Sequence, residues 1–128
     1  MLTRQDLERI AVDGYFGSVA RGDGDAVAAL FADNAAMRIV SAGICYQGKA
    51  AIIAHFDDFL GEYDAIRFSD FAVTADEPAQ RVAVEFTIAL HNAGSVIIMH
   101  NCDFFSFDEH GLVRDVSIYM SDLPERGF

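Results

Sequence analysis

Few side chains in this sequence are equipped for chemistry, and one of them stands in an odd place. In "VIIMHNCDFFSF" (96–107), Asp103 interrupts an alternating apolar pattern, with Met99, Phe105 and Phe107 on its own side if the segment is a strand. Burial disfavours the charged form of a carboxyl group, so an Asp in such surroundings has a raised pKa. It can donate a hydrogen bond while neutral or take up a proton while ionised. The plainer alternative is a structural acceptor for a tyrosine, for Asn101 or for a backbone amide.

The remaining candidates say less. Cys45 and Cys102 form neither a CxxC motif nor a metal-like cluster, so both are expected to be reduced and packed. His91 and His100 fall on one face of a pair of strands without a third ligand at useful spacing, so no metal is expected and an interface role is. His110 lies in the "DEHG" turn and should be solvated. His55 sits about 90° from the centre of a helical apolar stripe, within reach of a pocket mouth but read first as a surface or interface residue. Arg38 faces either outward, to pair with a carboxylate, or inward, to hold an anionic group. Neither a Gly-rich phosphate loop nor a nucleophile elbow is present.

The elements that must position these groups come from patterning. The chain has 128 residues, 52% hydrophobic and 23% charged, which suits a single folded domain over 1–128 with a real core and excludes a disordered one. Eleven Phe and four Tyr with no Trp point to an interior or pocket built from aromatic rings. A formal net charge of −11 disfavours nucleic-acid and anionic-membrane partners. The N-terminal "MLTRQDLERIAVDGYF" carries charges through its apolar pattern, unlike a signal peptide, and a soluble, cytoplasmic protein is expected.

The first half reads as helices. Leu7, Ile10, Ala11, Gly14, Tyr15, Ser18 and Val19 share one face of the first. "RGDGD" ends it, an Asp there caps a second helix over "AVAALFA", and Asp33–Asn34 stops that one. "AAMRIV" and "ICYQ" read as short strands, followed by a Gly turn and a third helix with Ile52, Ile53, Phe56, Phe59, Leu60 and Tyr63 as its stripe. The second half switches to four consecutive strands, starting at "AIRFSDFAVTA", "RVAVEFTIALHN", "SVIIMHNCDFFSF" and "LVRDVSIYMS". Three helices covering one face of a curved antiparallel or mixed sheet is an α+β architecture.

A register follows from the shortest turn. With Ala93 and Gly94 as a two-residue hairpin loop, Asn92 pairs with Ser95 and Asp103 lies opposite Val84. Val84, Phe86, Ile88, Leu90, Asn101 and Asp103 then face the helices, while Glu85, His91, Ile98, His100 and Phe104 face away. The outward face is mixed, which suits a subunit interface. Tyr119 and Met120 compete for the inward direction at the end of the last strand.

This order of elements, with "ALFADNA" ahead of a "YQGKAAI" turn and helix, resembles the nuclear transport factor 2-like superfamily, closest to its SnoaL-like and ketosteroid-isomerase-like branches. The resemblance implies a cone with an apolar pocket between helices and concave sheet, and a homodimer formed through the outer sheet face. It also implies roles. "YFGSVARGD" places Tyr15 where the isomerase branch has an oxyanion-binding tyrosine, and "DFFSF" places Asp103 where it has a protonated Asp. The branch's general base would fall at Ile39, which cannot accept a proton. In the polyketide-cyclase branch the carboxylate comes from a later strand, a role open to Asp103.

The expected function is therefore a small-apolar-ligand pocket, with a cofactor-independent acid/base enzyme of isomerase, cyclase or dehydratase type acting on a carbonyl compound as the first reading. Asp103 and Tyr15 are the expected catalytic pair, with Asn101 assisting. Phe31, Met37, Ile39 and Phe56 are expected to line the pocket, as are Phe59, Phe86, Met99 and Phe105. The alternative is a non-catalytic dimeric ligand-binding or interaction module.

Overall fold

Thr3 starts the chain's first helix by accepting from the Asp6 amide while Asp6 accepts from the Thr3 amide, a reciprocal cap that satisfies two otherwise orphaned donors. In the computed structural model, which describes residues 1–123, this helix, α1 (Arg4–Arg9), runs without a break into a π-helical stretch (Ile10–Phe16) and then α2 (Gly17–Ala20). The wider π turn brings residues five apart onto one side, so Phe16 is buried together with Ala11 and Tyr15 although the α-helical spacing leaves it off the stripe. Asp23 caps α3 (Gly24–Ala28) by accepting from the Ala26 amide.

The second helix is shorter than its sequence suggests. It ends at Ala28, and Phe31 already belongs to β1 (Phe31–Ile39), so Asp33–Asn34 is not a helix stop. The reason lies in the pairing with the last strand. Phe31 aligns with Val113 and Ala36 with Asp115, so four residues of β1 intervene where the partner has one. That surplus pushes Asp33 and Asn34 out to solvent while Phe31, Ala32, Ala35 and Ala36 stay buried. A left-handed Gly43 leads into β2 (Ile44–Gln47), Gly48 follows at φ 90°, and α4 (Lys49–Glu62) begins directly after it.

The four later strands are β3 (Ala65–Asp76), β4 (Arg81–Asn92), β5 (Ser95–Phe107) and β6 (Val113–Tyr119). Together the six form one mixed sheet in the order β2-β1-β6-β5-β4-β3, antiparallel at every seam except β1 with β6. Ala93 and Gly94 both have positive φ, the two-residue turn that matches strand twist, and Asn92 pairs with Ser95 and Asp103 with Val84. A bulge on β3 puts Asp70 at φ 58° between Ser69 and Ala72 and bends the sheet's far side.

The inward face packs as alternation requires. Val84, Phe86, Ile88, Leu90, Met99 and Phe105 are buried beneath the helical run and α4, with Ile52 and Phe56 of α4 closing over them. The outward face leaves Val96, Ile98, Phe104 and Tyr119 exposed. Two residues break the alternation, and each has a local cause. Ile97 lies near the hairpin tip and is partly exposed, and Ser106 adjoins a register shift and is buried. Among the described residues no helix is long and apolar enough to cross a membrane.

Candidate functional site

Between the helices and the sheet lies a cavity of ≈ 50 Å³ whose floor is polar and whose walls are not. Asp103 enters it from the centre of β5, held in place by pairing with Val84 on one side and Ile118 on the other. The side chain is 2% exposed, and its Oδ1 has no hydrogen-bond partner among the described residues. A buried acceptor left without a partner costs roughly 1–3 kcal/mol. Burial pushes the Asp103 carboxyl well above the ordinary carboxylate range, which favours its uncharged acid form.

Tyr15 reaches the same cavity from the π-helical stretch. Its ring is gripped edge-on by Phe16 (centroids 4.9 Å apart), Phe105 (5.0 Å) and Phe56 (6.0 Å), which leaves little freedom to rotate. Burial first, and the nearby Asp103 second, raise its hydroxyl well above the usual phenol value. No hydrogen bond joins Tyr15 to Asp103 among the described residues, and both side chains line the cavity. Asn101 completes the floor. Its Oδ1 accepts from the Ser121 amide at 3.2 Å, which fixes the side chain two residues along β5 from Asp103.

The mouth is made of the lining residues that keep partial exposure: His55 and Phe59 from α4, Phe68 from β3, and Met120 just past β6. His55 stacks on Tyr46 (4.5 Å, 27° between planes) and on Phe59 (5.9 Å, 19°). Burial lowers its pKa to about 4 against the opposing pull of Asp58, so its imidazole is neutral at pH 7.

The expected site residues divide into two groups. Tyr15, Asp103, Asn101, Ile39, Phe56, Phe59 and Phe86 come together around the cavity. Phe31, Met37, Met99 and Phe105 lie in the core around it, each essentially inaccessible, without forming its wall. Met120 rather than Tyr119 turns inward, as strand alternation from the buried Ile118 requires, and Tyr119 packs outside against Phe104 at 5.7 Å. Arg38 faces outward and pairs with Asp115 at 3.0 Å. His100 is exposed on the outer face, with Nδ1 3.0 Å from Thr87 Oγ1. Cys45 and Cys102 are free thiols, but Cys45 is exposed on the short strand β2 rather than packed, and Cys102 is half-buried.

Sequence reasoning gave His55 too little weight. Its position beside the helix stripe was visible, but what turns it inward is the stack with Tyr46, a contact between β2 and α4 that no helical wheel contains. Phe68, at the edge of the bulged strand, left no comparable signal.

The SnoaL-like domain profile matches residues 12–116 of this chain. No curated protein matches it. Among solved structures, a putative polyketide cyclase from Xanthomonas campestris pv. campestris is 24% identical over 91% of this chain and 90% of its own, with a TM-score of 0.78. SalBIII, an epoxide hydrolase/cyclase-like enzyme with a role in pyran ring formation in the polyether salinomycin, is 21% identical over 94% and 95%, with a TM-score of 0.83. AusH from Aspergillus nidulans is 18% identical over 99% and 91%, also with a TM-score of 0.83. At these identities the likeness is one of fold.

Proposed function

The chain belongs to the SnoaL-like domain family of the nuclear transport factor 2-like superfamily, and on that basis we propose that it is an acid/base enzyme acting through its own side chains on a small, uncharged carbonyl compound. The observation that carries this reading is Asp103: a buried carboxyl group, biased by burial toward its neutral form, whose Oδ1 has no partner among the described residues, at a cavity it shares with Tyr15. A structural carboxyl would have found a partner.

The two hydroxyl donors, Asp103 as the acid and Tyr15 as the phenol, sit in a setting from which water is largely excluded. A ligand oxygen placed between them gains negative charge as the neighbouring C–H or C–C bond reacts, and donors already in position stabilise that charge without reorganising. Asn101, its carbonyl end tied to Ser121, is oriented to assist. Isomerisation, aldol-type cyclisation and dehydration all develop charge on such an oxygen. The similarity in fold to cyclase-type enzymes supports this group of reactions without choosing among them.

Titration with phenol between pH 5 and 9 tests the pair. Phenol affinity should fall about tenfold or more when Asp103 is replaced by asparagine, as expected for loss of a hydrogen bond from a strongly polarised donor. Affinity that is pH-independent and unchanged by Asp103→Asn removes the catalytic reading.

A second reading, a dimeric ligand-binding or interaction module, is favoured by the outer sheet face. Val96, Ile98, Phe104 and Tyr119 are 50%, 61%, 38% and 45% exposed there, and an apolar patch of that kind marks an association surface. On this proposal the protein is a homodimer through that face. Ile98→Asp should convert it to a monomer by sedimentation equilibrium with the inner cavity undisturbed, and a wild type that is monomeric at micromolar concentration would remove the dimer. The two readings are compatible, since the faces are separate.

A further inference from the structure

An acid/base site needs a group that accepts a proton as well as groups that donate one, and burial biases the floor of this cavity toward donors. Burial biases both Asp103 and Tyr15 toward their protonated forms, Asn101 has no useful basicity, and Ile39 fills the wall where β1 could have carried a carboxylate. Of the side chains that line the cavity, one more has a titratable nitrogen. We propose that His55, reaching the mouth from α4, is the proton-accepting catalytic residue of this site, which assigns its substrate to the ketones and related carbonyl compounds with a removable α-hydrogen.

Geometry is the first support. His55 borders the same cavity as Tyr15 and Asp103, and it does so from α4, across from the strand that carries Asp103. A ligand whose oxygen meets the floor thus carries its adjacent carbon toward the mouth. Tyr46 and Phe59 stack on the imidazole nearly face to face and fix its plane. Neither ring nitrogen of His55 is hydrogen-bonded among the described residues.

The charged and titratable groups around the ring keep it in its basic form. Asp58 on the same helix favours the protonated state, Tyr46 from β2 lies against the ring face, and burial biases Tyr15 and Asp103 across the cavity toward their uncharged forms. Desolvation outweighs Asp58, and the imidazole stays neutral throughout the physiological range.

The step balances within the site. The C–H bond next to the carbonyl breaks, its proton goes to the free imidazole nitrogen, and its electron pair forms the C=C bond of an enolate. The oxygen charge of that enolate is held by the Asp103 and Tyr15 hydroxyls. Return of the proton to the same or another carbon gives exchange or isomerisation; attack of the enolate carbon on a second carbonyl of the ligand gives cyclisation.

The inference rests on the acid/base reading above, and one experiment separates their failures. Cyclopentanone is incubated with the protein in D2O, and α-hydrogen exchange is followed by NMR for the wild type, His55→Gln, His55→Phe and Asp103→Leu. His55→Phe preserves the aromatic stack, and His55→Gln preserves polarity without basicity, so folding loss in one is controlled by the other. The wild type should exchange above background with a rate flat from pH 5.5 to 8, and both His55 variants should lose about 10²-fold or more, the usual contribution of a positioned base.

Exchange that survives in His55→Gln and His55→Phe but disappears in Asp103→Leu overturns the role of His55 and leaves the acid/base site standing. A wild-type rate that climbs tenfold per pH unit over that range also overturns it, because the acceptor would then be an ionising acid of the floor. Exchange at background level in the wild type overturns both.

Discussion

Replacing Asp103 by leucine is expected to stabilise the fold by about 1–3 kcal/mol while reducing α-hydrogen exchange to background. The expectation inverts the usual effect of altering a buried residue. Asp103 is 2% exposed and its Oδ1 has no partner among the described residues, so the native state bears the desolvation of a polar atom with nothing in return from them. An apolar side chain removes that cost, and the adjacent ≈ 50 Å³ of empty space accepts the bulkier leucine, which has the same branching, without forcing its neighbours apart. Urea denaturation at pH 7 measures the difference. If Asp103 were a structural acceptor, the same substitution would lower the unfolding free energy by a similar amount, so the sign of the change decides between the two roles.

The pH dependence gives the same prediction a second arm. The folded pKa of Asp103 lies above the unfolded value of 3.8 because burial disfavours the carboxylate. The stability that this group contributes is therefore fully present below pH 3.8 and is lost as the pH rises toward its folded pKa, because the unfolded chain sheds a proton that the folded chain retains. The advantage of the leucine variant over the wild type should then widen from pH 5 upward and level off above the folded pKa. Measurement starts at pH 5 because the chain has a pI near 4.4 and is least soluble there. A gap between the two proteins that stays constant from pH 5 to 9 would mean that Asp103 does not titrate differently on folding, and the uncharged floor would have to be abandoned.

How much of this site was legible in the sequence depends on whether local or distant contacts set it. The β4–β5 hairpin was legible because a two-residue turn leaves one register, and that register alone turns Asp103 and Asn101 inward. Tyr15 was legible from helical spacing together with family resemblance. Phe16 was not, because the π-helical stretch changes the period beneath it. The start of β1 was missed for a related reason. "AVAALFA" is dominated by the strong helix formers Ala and Leu, and only the parallel pairing of β1 with β6, more than seventy residues away, draws Phe31 and Ala32 into the sheet. His55 belongs with these: its neighbours on α4 suggest a flank, and its partner on β2 makes it part of the mouth.

The size of the cavity sets what it can admit, and two phenylalanines three residues apart on α4 should show this with opposite results. An apolar cavity of about 150 Å³ binds benzene, whereas this one offers ≈ 50 Å³, so a six-membered ring enters only if the mouth side chains move. Phe59 is half-buried at that mouth. Phe59→Ala should remove about 100 Å³ of side chain at a cost of about 1–2 kcal/mol, since part of the ring already meets solvent. The enlarged space reaches the benzene-sized range, and fluorobenzene observed by fluorine NMR should bind at least about tenfold more tightly than to the wild type. Phe56 is 4% exposed and is packed against Tyr15 and Phe31. Phe56→Ala should cost about 3–5 kcal/mol, and because it releases the ring of Tyr15 it should weaken phenol binding even where the protein remains folded. Equal affinity of Phe59→Ala and the wild type for fluorobenzene would mean that the mouth is already open and that access is limited elsewhere. Phe59 also forms one wall of the His55 stack. Its removal should expose the imidazole, raise the pKa from about 4 toward the ordinary histidine value, and make α-hydrogen exchange fall off below pH 6.5, because a protonated ring accepts nothing. One side chain would then control both the width of the entrance and the state of the base beside it.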